Sequence, residues 1–461
     1  MLFSSVTFLY YFLPAVLLTY FLVPRNLKNT VLLLFSLVFY GWGEPKLLGL
    51  MVFTILMFYF CGLMIGRCRS QKGKKAWLTV SVVISIGLLG LFKYADFFID
   101  SFNAVTGLSV PLLRLALPVG ISFYTFQSLS YTIDVYRGNV PAQKNPISFG
   151  AYVALFPQLI AGPIVRYVDV ARELNERQHS WEDFCLGLRR FLVGLGKKIL
   201  IADNFALLMK LFRESEGKSV LFYWLYAVAF MLNIYFDFSG YSDMAIGLGR
   251  IFGFRFIENF NYPYLSKSVT EFWRRWHMSL GSWFRDYIYI PLGGNRVSKG
   301  RLVFNLLIVW AATGIWHGAS WNFLFWGLFY FVLLVFEKFW FKNILDKLPR
   351  WVGHIYGLFL VLVGWTIFAV EDMAQLGGYL KAMFGFGAGL WDTAFLYNLR
   401  NYLPLLLIAA VASTPLAKKV WGKLPELARK ILLPILLICG LFLATAYLVD
   451  GTYNPFLYFR F

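Results

Sequence analysis

GIWHGASWNFLFWG, residues 314–327, lies inside an apolar run that extends from Leu302 to Phe341. Such a run is long enough to cross the ~30 Å hydrocarbon core of a bilayer twice, at about 20 residues per helical crossing. Yet it holds His317, one of only four histidines in the chain. Burying a polar group without a partner costs roughly a few kcal/mol. His317 is therefore either a core histidine bonded to a neighbouring helix or part of a functional site, the default reading of an ionisable group at membrane depth.

The whole chain supports membrane burial. Its 461 residues are 59% hydrophobic, 20% aromatic and only 15% charged, against roughly 45–50% apolar and about 25% charged in a soluble globular protein. The composition predicts an all-α polytopic membrane protein. The opening MLFSSVTFLYYFLPAVLLTYFLVPR has no basic leading region and no small-residue cleavage site, and so reads as a retained first helix. The formal net charge of +19 falls in short basic runs between apolar segments, as in cytoplasmic loops. That distribution argues against a nucleic-acid ligand and suits an anionic cytosolic one. The four cysteines, Cys61, Cys68, Cys185 and Cys439, show no metal or disulfide spacing.

Apolar segments are expected near 5–23, 29–43, 46–66, 76–92, 117–135, 147–163, 184–208, 219–249, 302–319, 321–341, 351–371, 401–415 and 430–449. Tracing from the basic runs at 67–75, 250–301, 338–350 and 418–430 places both termini outside, which requires an even number of crossings. Some of the thirteen are therefore not spans. The best re-entrant candidate is 147–163, which Pro157, Gly162 and Pro163 break. Residues 270–296 are too charged to span; their Trp273, Trp276, Trp283, Tyr287 and Tyr289 suit a membrane interface. Beside them stand Arg274, Arg275, Arg285 and Arg296, whose forked guanidinium groups suit phosphate oxygens. Asp237 and Asp243, with Ser239 near them, lie within the apolar segment 219–249. Carboxylates at such depth face protein or water and pair, here with arginine or histidine partners. No internal repeat or linker is visible, so the expectation is one membrane domain over 1–461 with a core at about 117–341.

Several chemistries fail on the residues. A serine-hydrolase elbow is absent, no two histidines stand four apart, and no carboxylate cluster has metal-ligand spacing. The match of His179 and Asp183 to an H-x3-D pair falls in a charged loop and is read as coincidence.

Five stretches together resemble the membrane-bound O-acyltransferase (MBOAT) superfamily: FYTFQSLSYTIDVYRG (123–138), PQLIAGPIVRY (157–167), FDFSGYSDMAIG (236–247), FWRRWHMSLGSWFRDYIYIPLGGNR (272–296) and GIWHGASWNFLFWG (314–327). The resemblance is closest to the bacterial branch that O-acetylates extracellular polysaccharides such as alginate or peptidoglycan. It implies a ring of about 10–12 transmembrane helices around a central tunnel in the cytoplasmic membrane. His317 falls on the family's essential histidine and His277 on its second. The implied reaction is acetyl transfer from acetyl-CoA, or a carrier-protein thioester, with neutral His317 as general base and no bound cofactor or metal. Arg274, Arg275, Trp276, Arg285 and Asn322 would hold the donor, and Asp237, Asp243 and Ser239 would support the tunnel. An extracellular SGNH-type acyltransferase is the expected partner, alongside membrane lipid. The tail NPFLYFRF (454–461) is similar to a motif proposed to carry the acyl group, which makes Tyr458 a third catalytic candidate; an aromatic plug is the alternative. A lipid acceptor on the same fold and a non-enzymatic transporter are the rival readings.

Overall fold

The computed structural model describes residues 1–451, all helix and connecting loop, with no strand among them. Seven of the described helices are long and apolar enough to cross a membrane: Pro45–Arg67, Gln71–Thr106, Val220–Ile251, Trp321–Leu345, Arg350–Ala369, Thr393–Ala412 and Glu426–Asp450. Shorter apolar helices, Phe8–Leu22 and Lys28–Gly43, accompany them. Ile121–Arg137, at 17 residues, is shorter than each of the seven and carries polar residues all round: Ser122, Thr125, Gln127, Ser128, Ser130, Thr132 and Asp134 are all buried. A helix of this kind needs protein rather than lipid around it.

The chain packs as two compact units. The first comprises Met1–Phe191 with Tyr241–Ile257, and the second Leu192–Gly240 with Glu258 onward. In the first unit the segment expected to re-enter forms two short helices, Pro146–Ala154 and Phe156–Leu159, broken at Leu155. Nine residues rise about 14 Å, roughly half the hydrocarbon thickness, so this segment cannot span. Its buried backbone is satisfied by side chains of the same unit. Phe156 N–H donates to Ser36 Oγ (3.0 Å), Gln158 Nε2 donates to Tyr152 O (2.8 Å), and Tyr152 Oη donates to Val165 O (3.0 Å). Broken backbone inside a membrane protein is stable only when paired in this way. Phe156 then plugs into a knot of rings from Phe3, Phe8, Phe12 and Phe39.

In the second unit the tightest pair is Lys299–His317 against Trp321–Leu345, joined by a turn of only three residues, 318–320. Arg350–Ala369 packs on the second helix of that pair. Thr393–Ala412 and Glu426–Asp450 bury little of their surface against the chain, 17% and 6% of their spanning windows, as expected of lipid-facing helices.

Of the rings in 270–296 expected at a membrane interface, Trp276 and Trp283 are buried in protein, whereas Trp273, Tyr287 and Tyr289 are half-buried. These residues form Val269–Arg275, then Met278–Phe284, then a final turn Arg285–Tyr289. Trp276 is 1% exposed and Trp283 3%. Tryptophan suits an interface and a protein core equally well, so composition alone misplaced them.

Candidate active site

The site is assembled on the second unit's tight helix pair. Gly314 lies against the carbonyl of Phe323 and Gly327 against that of Trp310, and a Cβ at either position would collide with backbone. This approach holds His317, the last residue of its helix, at a fixed and buried position. The rings of Trp316, Trp326 and Phe368 stand nearly perpendicular to the imidazole, at centroid distances of 5.0, 5.0 and 5.3 Å. Asn322 fastens this wall. Its Nδ2 donates to the carbonyls of Ile367 (3.3 Å) and Phe368 (3.0 Å), tying one helix start to the end of Arg350–Ala369.

His277 sits between the two short helices with φ 44° and ψ 54°, a left-handed conformation uncommon outside glycine. Strain of this sort costs on the order of 1–3 kcal/mol and persists only where the surroundings over-determine it. Here the determinant is Asn259. Its Oδ1 accepts from Ser279 N–H (3.3 Å) and Ser279 Oγ (2.9 Å), which identifies that atom as the oxygen, and His277 Nδ1 approaches it at 3.0 Å. Nδ1 therefore donates, and in the neutral ring the lone pair resides on Nε2. Burial pushes the imidazole down to about 3, because a charged ring loses hydration there. A ring so weakly basic is suited to accept or orient a hydrogen bond rather than to remove a proton. Trp316 stands between the two histidines, 6.0 Å from the His277 ring and 5.0 Å from His317.

The entry to this region is anchored by a buried carboxylate. Glu337, 2% exposed, accepts from the N–H groups of Val269 (2.7 Å) and Thr270 (2.8 Å) and from the Thr270 hydroxyl (2.6 Å). It caps the helix that carries Arg274 and leads into His277, satisfying amides that a helix start leaves open.

The remaining expected residues divide. Arg274 is exposed on the short helix. Arg275 is held by Glu271 (2.8 Å) and Arg285 by Asp286 (2.7 Å). Trp276 packs on Trp365 (4.8 Å), Phe260 (5.0 Å) and Phe272 (5.6 Å) as a core ring. Asp237 pairs with a lysine rather than an arginine or histidine: Lys198 Nζ lies 2.7 Å from Asp237 and 2.7 Å from Asp203. Ser239 is buried on the same helix. Asp243, in the first unit, pairs with Arg190 at 2.9 Å. Tyr458 and the tail lie outside the described residues. No group of three or more potential metal ligands occurs among the described residues. Asn259, Lys198 and Glu337 were not singled out from the sequence. Asn259 and Glu337 make their decisive contacts 18 or more residues away, and Lys198 reaches Asp237 as well as nearby Asp203, so no local pattern marks them.

The model of the MBOAT (membrane-bound O-acyltransferase) family matches residues 142–373, half the chain, including both histidines. "Probable alginate O-acetylase AlgI" of Azotobacter vinelandii is 45% identical over 393 residues, covering 84% of this chain and 79% of that one. The chain belongs to the membrane-bound O-acyltransferase family. It is accordingly a multi-pass membrane acyltransferase, and the non-enzymatic transporter is set aside. A "Peptidoglycan O-acetyltransferase" of Helicobacter pylori is 33% identical over 84% of this chain and 80% of its own. A "Teichoic acid D-alanyltransferase" of Bacillus subtilis is 31% identical over 48% of this chain.

Proposed function

We propose that this MBOAT member moves an acetyl group from cytosolic acetyl-CoA across the cytoplasmic membrane for O-acetylation of an extracellular polysaccharide of the alginate or peptidoglycan kind. The similarity to O-acetylases over most of the chain supports the acetyl group and the polymer class. The observation that carries the chemistry is the buried His317 imidazole, locked by a helix crossing and walled by three aromatic rings. His317 takes the proton of an acceptor hydroxyl, whose oxygen attacks the thioester carbonyl. The new C–O bond forms as the C–S bond breaks, and the thiolate leaves and takes the proton from the imidazolium. General-base action of this kind contributes roughly 10²–10⁴ in rate.

His277, with Nδ1 committed to Asn259, orients the donor through Nε2. Arg274 meets the donor's phosphates. A separate extracellular SGNH-type acyltransferase completes transfer to the polymer, and Tyr458 carries the acyl group between the two. Purified His317→Ala at saturating acetyl-CoA should lose acetyl transfer by about 10²-fold or more; wild-type turnover in that variant refutes the base assignment. Tyr458→Phe should keep donor hydrolysis and abolish glycan acetylation in cells, and acetylated glycan there removes the carrier role.

A further inference from the structure

The first unit carries a group of cations that the reaction does not use. At the turn between Phe8–Leu22 and Lys28–Gly43, Lys28 Nζ sits 4.5 Å from the centre of the Tyr20 ring and 5.3 Å from that of Phe21. Arg177 lies over Phe254 at 4.7 Å and beside Tyr20 at 5.7 Å. Its Nη2 donates to Asn29 Oδ1 (2.5 Å), whereas its Nη1 is buried with no hydrogen-bond partner among the described residues. Tyr20 Oη donates its proton to Phe252 O (2.9 Å), so His179 Nε2, 2.9 Å away, is the donor to Tyr20. Arg25 is close enough to act electrostatically on both Lys28 and His179.

Arg25 and Arg177 both repel Lys28 and disfavour a charge on His179, and none of the four is paired with a carboxylate among the described residues. Of the acidic side chains close by in sequence, Asp183 is taken by Arg250 (2.8 Å), Arg255 (3.4 Å) and the Ser180 hydroxyl (2.9 Å), and Glu176 and Glu182 are exposed. Burial and the surrounding like charges push His179 down to about 4. A half-buried guanidinium with an open N–H, beside other unneutralised cations, is destabilised unless an anion joins it. The surroundings indicate which anion. Leu18, Phe21 and Leu22, at the end of the adjoining helix, are 66%, 43% and 81% exposed, a strip of apolar surface suited to acyl chains. Trp181, 77% exposed and stacked on Phe184, marks the level where amphipathic rings settle between lipid and water.

We propose that Arg25, Lys28 and Arg177 bind the phosphate of an anionic phospholipid headgroup, whose acyl chains run along Leu18, Phe21 and Leu22. Arg177, held by its bond to Asn29, supplies a fixed charge, and Lys28 supplies a point charge on a flexible stem. The lipid joins the turn at 23–28 to the loop at 171–180. This site is independent of the acyl-transfer chemistry at His317.

The test is native mass spectrometry of the delipidated full chain titrated with dioleoyl-phosphatidylglycerol, dioleoyl-phosphatidylcholine or inorganic phosphate. Wild type should retain the anionic lipid over the zwitterionic one by about fivefold or more, as expected for several basic contacts. Lys28→Gln with Arg177→Gln should lower that preference to near unity, whereas Lys418→Gln with Lys419→Gln, at an exposed basic stretch elsewhere, should leave it intact. Lys28→Gln alone removes no buried hydrogen bond and should halve the preference approximately, so misfolding of the double variant does not decide the matter. Equal retention of the two lipids by wild type, or undiminished anionic-lipid retention in the Lys28 variants, overturns the proposal. Displacement of the lipid by millimolar inorganic phosphate would identify a soluble-phosphate site and overturn the lipid assignment.

Discussion

His277 shows how much a single residue depends on its partner. Its left-handed backbone and its Nδ1–Asn259 bond together aim Nε2. Asn259→Ala should lower turnover about 10- to 100-fold, the range typical of a lost orienting contact, with little change in the amount of folded protein by size-exclusion. Asn259→Asp should place a carboxylate beside the ring and raise its basicity. The acid limb of the pH–rate profile should then move to higher pH, and an unmoved limb would leave Asn259 as a packing residue. Stability carries the same signature. An unfolded histidine titrates near about 6.5, whereas folded His277 is held down to about 3. Between these values the unfolded chain binds the extra proton, so stability falls as pH drops from about 6.5 toward 3. The apparent Tm in detergent should decline from about pH 7 to 5, and His277→Gln should flatten part of that decline; an unchanged slope in the variant contradicts the burial of a neutral ring. The arginines also separate by residue. The pairing of Arg275 with Glu271 follows a four-residue spacing visible in the sequence, and it leaves Arg274 as the exposed charge. Arg274→Gln should raise the donor KM and weaken its dependence on salt, since exposed charges are screened over about 10 Å at 0.1 M. A donor KM equal to the parent's across that salt range removes Arg274 from the donor site.

Helices set where these residues stand. Lys198 is buried between Asp237 and Asp203. Removing one member of such a group strands a charge and costs about 3–5 kcal/mol, while replacing the set by apolar residues costs much less. Lys198→Met should therefore lower thermal stability sharply, and Asp237→Leu added to it should recover part of the loss. A double variant no better than the single would show that the group does not act as a pair. The helix positions were legible from the sequence because long apolar runs bounded by charge have few alternative readings. The expected segments 46–66, 219–249 and 351–371 fall within a few residues of Pro45–Arg67, Val220–Ile251 and Arg350–Ala369. The break at 155–163 was legible too, through its prolines. Glu337 was not: its carboxylate meets amides 67 and 68 positions away, and nothing near it in sequence indicates a cap. The inward turn of Trp276 and Trp283 was hidden for a related reason, since the rings that receive Trp276 come from Phe260 and Trp365.

At the scale of the molecule, membership of the family and the two histidine motifs were legible because rare polar residues stand out in so apolar a chain. The partners that position them emerge only when distant helices meet. The ring wall around His317 also has an electrical side. Trp316, Trp326 and Phe368 press on the imidazole, and a proton that it takes from an acceptor on the outer side has the departing thiolate as its route away. The donor side gives up an acetyl and gains a proton while the acceptor side does the reverse, so the exchange leaves the charge on each side unchanged. Turnover in proteoliposomes should then be the same whichever side a potassium diffusion potential makes negative, although a charge that traversed the whole field would be worth about 2.3 kcal/mol per 100 mV. A rate that follows the sign of the voltage would mean that the proton does not pass to the departing thiolate.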